Sequence, residues 1–354
     1  MTHAIRCFAG ANTPSGFFSY FHSIFDGCVR VFYLKGGPGM GKSSLMKRIA
    51  ERQQTMGHEV SLFYCSSDPA SLDGMVDETS RCAVLDATAP HVCDPFYPGA
   101  RDTLVSLGDY LNEPALRREK SEIERLQAEI AREFRASSFY LAAAANVREC
   151  ARIEPDPVQA QKAVNTLAER LTAPKNESRG IGAEKRFFLS AHTCKGEIHW
   201  GSQFSPGITV RILTPFGGNA DAVLRLLENR ARESGVSVLA FPDPLDPSRL
   251  NHLYFPDLPL FVTSDDLPCA EILSPFPSDE CAPDPLYADL LEKAHAQIAR
   301  AKAMHDELET LYTPQMDFSR LTQAETRIIS GFDEAFPEAS RTNSEIFTCQ
   351  SLES

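Results

Sequence analysis

Residues Gly36, Gly37, Pro38, Gly39, Met40, Gly41, Lys42 and Ser43 satisfy the spacing G-x-x-x-x-G-K-[ST], and their flanks constrain the fold more than any other stretch. The apolar run from Cys28 to Leu34 predicts a buried strand before the loop. Lys42 to Met56 carries Leu45, Ile49 and Met56 at helical spacing and predicts a helix after it. A strand, a glycine loop and a helix in that order aim several backbone N–H groups and a helix N-terminus at one point, which suits a phosphate. The backbone from Gly37 to Lys42 is expected to wrap a β-phosphate, with Gly36 opening the loop and Lys42 reaching the β/γ oxygens. The Ser43 hydroxyl is expected in a Mg²⁺ shell, and Ser44 caps locally.

Around this unit, short apolar runs alternate with helical patterns. Ile5 to Ala9, Glu59 to Cys65, Cys82 to Leu85 and Leu104 to Leu107 read as strands, and Phe17 to Phe25 reads as a helix packed by its aromatic face. The alternation predicts an α/β domain with a mostly parallel sheet, whose ligands gather at the carboxyl ends of the strands. Asp86, at such an end, is the expected second metal carboxylate. Asp68 and Asp73 are expected in the loop after the third strand, where they orient water or an acceptor hydroxyl, or simply make turns. His91 and Asp94 are candidates for second-substrate contact or proton transfer, and a loop stiffened by Pro90 and Pro95 accounts for them equally well. No Glu follows Asp86, so the water-activating arrangement of many motor-like ATPases is not visible. Arg6, Arg30, Arg81 and Arg101 are candidate sources of further positive charge in this half.

From Pro114 to Arg152 the sequence is a charged helical stretch, which Pro155 and Pro157 end before a second helix from Val158 to Ala173. Beyond it the chain repeats itself. Ala11 to Gly16 matches Ala191 to Gly196 at an offset of 180, and Asp68 to Gly74 matches Asp246 to His252 at an offset of 178. In the second copy the loop reads Thr214 to Leu224, without Lys or Ser/Thr at the positions of Lys42 and Ser43. Asp86 is replaced by Ser264 and Asp73 by Asn251. The second half is therefore expected to have lost nucleotide chemistry. The expected domains are a core at 1–111, a helical hairpin at 112–178, a degenerate core at 183–273, a helical pair at 286–335 and a tail at 336–354.

The formal charge of −13 disfavours nonspecific attraction to nucleic acid or anionic membrane. No run approaches the ~20 apolar residues of a membrane span, so a cytoplasmic protein is expected. The ten cysteines contain no C-x-x-C pair and are expected to be reduced; Cys65, His91 and Cys93 lack the paired spacing of a zinc site.

The segments Ala11 to Gly16, Gly36 to Ser43, Ser67 to Asp73, Leu85 to Pro95, Leu107 to Asp109 and Ala303 to Glu307 together resemble those of a bacterial family of tandem P-loop ATPase-like proteins. The similarity runs through nearly the whole chain, and Asp86-x-Thr88-Ala89-Pro90-His91 with Asp94-Pro95 is its most specific part. Members often carry an intact loop in both halves; this chain does not. The resemblance implies duplicated P-loop NTPase-type domains, each followed by a helical hairpin, and Mg²⁺-dependent nucleotide binding. The expected activity is hydrolysis of ATP or GTP by the first half, coupled to conformational change or to a protein partner at the charged hairpin. The alternatives are a small-metabolite or nucleotide kinase and a nucleotide-gated adaptor with negligible turnover.

Overall fold

The structure, a computed structural model, describes residues 4–90, 92–171, 180–277 and 282–346, with backbone alone for 336–346. In chain order the first half forms strands β1 (Ile5–Phe8), β2 (Gly10–Thr13), β3 (Gly16–Ser19), β4 (Arg30–Lys35), β5 (Val60–Tyr64), β6 (Leu72–Asp77), β7 (Cys82–Asp86) and β8 (Asp102–Ser106). Helices α1 (Phe21–Ile24) and α2 (Lys42–Thr55) lie among them, and α3 (Glu113–Arg118), α4 (Lys120–Cys150) and α5 (Pro157–Ala168) follow. The second half forms β9 (Glu184–Arg186), β10 (Ser190–Thr193), β11 (Gly196–His199), β12 (Ile208–Ile212), α6 (Asp221–Glu233), β13 (Val238–Asp243), β14 (Asp246–Phe255), β15 (Leu260–Thr263) and β16 (Glu271–Leu273). Helices α7 (Pro285–Tyr312) and α8 (Phe318–Ile346) close the described chain.

The chain divides into two compact units. One holds the described residues up to Ala9, Phe21–Arg132 and those from Arg300 onward; the other holds Gly10–Tyr20 and Glu133–Ala299. The first sheet has the order β1-β5-β6-β7-β4-β8 and the second the order β9-β13-β14-β15-β12-β16, which is the same arrangement strand for strand. The architecture is therefore a duplicated α/β plan.

Both sheets are mixed, a correction to the expected mostly parallel arrangement. In the first, β6 runs antiparallel to both β5 and β7, while β1/β5, β4/β7 and β4/β8 are parallel. The turn chemistry of Leu72-Asp-Gly predicts a loop where β6 forms. All six of its residues are buried, so no polar/apolar alternation betrays a strand. The expected helix from Phe17 to Phe25 is also corrected. Its first residues form β3, which pairs with β2 through a turn at Gly16, φ 101°, where Thr13 Oγ1 donates to Gly16 O at 2.7 Å. Thr193 and Gly196 repeat this turn between β10 and β11, with the same bond at 2.8 Å.

Helix α2 buries Leu45, Met46, Ile49 and Ala50 against the first sheet. Helix α8 lies beside α2 on the same face, placing Leu321, Ala324, Ile328 and Phe332 in the same core as Phe32, Leu34 and Val84, and Arg48 of α2 pairs with Glu325 of α8 at 2.7 Å. Gly331 permits this approach, since a Cβ there would lie 2.4 Å from Phe32 Cζ. In the second unit α5 packs Ala160, Ala163, Val164 and Leu167 against Val210, Leu224 and Leu227. Asp156 caps α5, accepting from Val158 N and Gln159 N, and Pro157 opens it with φ already suited to a helix. Each unit is thus completed by a helix that comes after the other unit's sheet. No described helix is long and apolar enough to cross a membrane, and none of the eight described cysteines forms a disulfide.

Candidate functional site

The glycine loop joins the carboxyl end of β4 to α2 within the first unit. Gly39 and Gly41 have φ of 67° and 81°, left-handed values that a side chain would strain. Gly41 is the N-cap of α2 and supplies no side-chain cap, so the helix N-terminus opens on the loop with its dipole uncompensated there. Parallel pairing sets Leu34 of β4 beside Asp86 of β7, which brings Asp86 to the loop. Lys42 Nζ donates to Gly36 O at 2.7 Å and Gly37 O at 2.6 Å, and lies 3.5 Å from Asp86 Oδ2. Ser43 Oγ accepts from Leu72 N at 3.0 Å, tying the first turn of α2 to β6. Ser44 follows on α2.

Thr88 holds the near side of the loop: its Oγ1 donates to Gly36 O at 2.9 Å and accepts from Gly36 N at 3.2 Å, while Thr88 N donates to Asp86 Oδ1 at 2.9 Å. Thr88 lies within the Asp86 motif, and nothing in the local sequence marks its hydroxyl as a clamp on the loop. The far side is covered by the end of α7 and the start of α8. A Cβ on Gly37 would lie 3.0 Å from Tyr312 Cε1, one on Gly39 2.4 Å from Thr313 Oγ1, and one on Gly41 2.9 Å from Leu321 Cδ2. Thr313 Oγ1 donates to Gly39 O at 3.2 Å.

The remaining candidates scatter. Asp68 makes its own turn, accepting from Ala70 N and Ser71 Oγ, and lies 3.6 Å from Lys302 Nζ. Asp73 is a buried strand residue of β6 beside Leu72, not the loop residue expected. Asp94 is exposed and pairs with Lys35 at 3.1 Å. His91 lies outside the described residues. Arg30, Arg81 and Arg101 sit at or before the amino ends of β4, β7 and β8, away from the loop; Arg81 donates to Gly27 O and Arg101 pairs with Asp102. Cationic charge instead arrives from α7 as Lys302. Nearby, His305 is 3.5 Å from Glu309, and burial lowers its pKa, with Lys302 and Lys42 adding to the effect. More than two hundred residues separate Lys302 from Asp68 in sequence, and no local pattern announces the contact.

In the second unit the corresponding loop is closed by the chain itself. Gly217, φ 78°, packs so tightly that a Cβ would lie 2.0 Å from Ala151 O, and Ile153 N donates to Gly217 O at 3.1 Å. Asp221 opens α6 where Ser43 stands in α2, and its Oδ1 accepts from Leu250 N at 2.7 Å. Ser264 Oγ donates to Asn251 Oδ1 at 2.6 Å, joining the residues that replace Asp86 and Asp73.

Beside this closed loop is a polar cavity of about 280 Å³, lined among others by Arg148, Glu197, Asp243, Asp265 and Tyr287. Arg148 pairs with Asp243 at 2.6 Å. Burial, reinforced by the Asp265 and Asp243 charges, pushes Glu197 up to about 7, a range in which a carboxyl both gives and takes protons. His192 is buried against His295, 3.1 Å between ring nitrogens, and burial pulls it down to about 3, so it is neutral.

A family model described as Nephrocystin 3, N-terminal, matches residues 19–83, a stretch that contains the glycine loop and ends within β7. No curated protein and no solved structure matches the chain.

Proposed function

We propose that the first unit binds a nucleoside triphosphate, ATP in preference to GTP, with Mg²⁺ at Gly36–Ser43 and hydrolyses it slowly, coupling the event to movement of the covering segment from Tyr312 to Leu321. The observation that carries the reading is the uncapped N-terminus of α2 at the point where Lys42, Ser43 and Asp86 meet. No side chain caps the helix there and its first turn holds no acidic residue, and Lys42 rests on two loop carbonyls that phosphate oxygens would replace. Ser43 and Asp86 are the residues that would hold Mg²⁺, which supplies charge neutralisation on the phosphates. Both oxygens keep lone pairs beyond the single N–H each accepts, from Leu72 and Thr88.

Slow turnover follows from the residue after Asp86, which is Ala87 and cannot activate water. Asp68, 3.6 Å from Lys302, is the alternative carboxylate. Coupling follows from the packing of Tyr312, Thr313 and Leu321 onto Gly37, Gly39 and Gly41, because phosphates cannot settle on those glycines without adjusting what lies against them. Membership of the bacterial tandem P-loop ATPase-like group, and a P-loop NTPase fold for the first sheet, belong to the same proposal; the repeated strand order supports them. Calorimetric titration of Mg·ATP and Mg·GTP into the chain and into Lys42→Ala tests it. Loss of binding in the variant is expected; equal affinity in the two proteins overturns the reading.

A further inference from the structure

The second half of the chain gathers three side chains of metal-ligating type at positions where the first half has none. His199 ends β11, His252 lies in β14 and Asp265 follows β15; at the offsets of the duplication their counterparts are Ser19, Gly74 and Ala87. One ring nitrogen of each histidine and a carboxylate oxygen of Asp265 all lie within 4.8 Å of one another. Asp265 Oδ2 is 2.9 Å from His199 Nε2 and 3.7 Å from His252 Nε2. His199 Nε2 faces the Asp265 carboxylate, whereas His252 is 1% exposed and its Nε2 has no hydrogen-bond partner. A buried polar atom left so is costly unless something else satisfies it.

We propose that His199, His252 and Asp265 bind one divalent first-row transition-metal ion. Metal–nitrogen and metal–oxygen bonds of about 2.0–2.2 Å span ligand separations of roughly 3–4 Å, with which the two Asp265 distances of 2.9 and 3.7 Å agree. Two imidazoles and one carboxylate suit zinc or ferrous iron and disfavour Mg²⁺ and Ca²⁺, which take oxygen ligands. The surroundings orient the ligands. His252 Nδ1 meets Thr263 Oγ1 at 2.9 Å, Thr263 Oγ1 accepts from Asp265 N at 3.0 Å, and Asn251 Nδ2 donates to Asp265 Oδ1 at 3.4 Å. Thr263 Oγ1 has a lone pair for an Nδ1–H, which leaves His252 Nε2 unprotonated for the ion. His199 needs more adjustment, because Gly201 N donates to its Nδ1 at 3.1 Å. Binding moves the Nε2 proton of His199 to Nδ1 and opens that contact. His252 and Asp265 are accordingly the stronger ligands. Asp265 also lines the polar cavity, so the three-ligand set adjoins space for water or a small oxyanion to complete the shell.

The test is a Co²⁺ titration of the chelator-stripped full chain in excess Mg²⁺, read by visible absorption, with Zn²⁺ followed by calorimetry and thermal unfolding. One saturable equivalent is expected, without a thiolate charge-transfer band, and Zn²⁺ raises the unfolding midpoint. His252→Gln and Asp265→Asn should each weaken binding at least tenfold, and His199→Gln less. Absence of saturable uptake, a thiolate band assigning the ion to cysteine, or unchanged affinity in the variants overturns the proposal. Should one variant fail to fold, the other two decide by the same criterion.

Discussion

Ser43 and Asp221 receive the same hydrogen bond in two copies of one fold: Leu72 N–H reaches Ser43 Oγ at 3.0 Å, and Leu250 N–H reaches Asp221 Oδ1 at 2.7 Å. The structural contact survives the exchange of a hydroxyl for a carboxylate. What changes is charge, because the carboxylate sits in the first turn of α6, where a helix favours an anion. The second loop carries its own anion, and a phosphate there would face it.

Transplanting that exchange makes a direct prediction. Ser43→Asp should keep the Leu72 bond and the fold, with the unfolding midpoint little changed, yet lower Mg·ATP affinity at least tenfold. Ser43→Ala should do the reverse to the fold, leaving Leu72 N–H without its acceptor at a cost of about 1–3 kcal/mol. Denaturant unfolding and nucleotide titration of the two variants separate the effects.

The covering segment sets a second expectation. Tyr312→Ala removes the ring packed on Gly37 while leaving Lys42, Ser43 and Asp86 in place. Mg·ATP association, followed by stopped-flow fluorescence, should accelerate several-fold. An unchanged rate would mean that the cover does not limit entry.

Acid stability should depend on Asp77. Burial alone would raise this carboxyl, but hydrogen bonds from His58, Ser80 and Gln53 outweigh it and hold the pKa below the usual carboxylate range. A depressed folded-state pKa contributes stability that is fully present above the unfolded value, near 4, and is lost as pH falls through the folded one. Asp77→Asn should therefore destabilise at neutral pH and flatten the loss of stability below about pH 4, as read by denaturant unfolding across pH.

Phe332 gives a prediction about the core. Its ring is 1% exposed and lies 5.9 Å from that of Phe32, on a helix far along the chain. Phe332→Ala should destabilise by about 3–5 kcal/mol, measured by chemical unfolding. A change below 1 kcal/mol would mean that α8 contributes little to the first unit.

Local patterns made β4, α2, β5, β7 and the long helices legible, because each has an apolar face with a clear period or a continuous buried run. They also exposed the duplication, which the two identical strand orders bear out. Asp86 was readable at the loop because a strand ending in Asp beside a parallel neighbour has few places to put it. Strand β6 was hidden: Asp73, Gly74 and Asp77 mimic turn chemistry while the fold buries them. Lys302 and Thr313 were hidden for another reason. Their closeness to Asp68 and Gly39 is created by a helix completing a distant sheet, and no window of sequence contains both partners. The triad of His199, His252 and Asp265 is hidden because its members come from one strand end, the middle of β14 and the loop after β15, with no ligand spacing between them.

The way α8 closes over the first sheet has a consequence for biosynthesis. A ribosome translates β4 early, but it must also make the second sheet and α7 before Phe332 can reach Phe32. Until then α2 covers its share of that face of the nascent sheet, while the strip beside it that α8 later takes is open to chaperones.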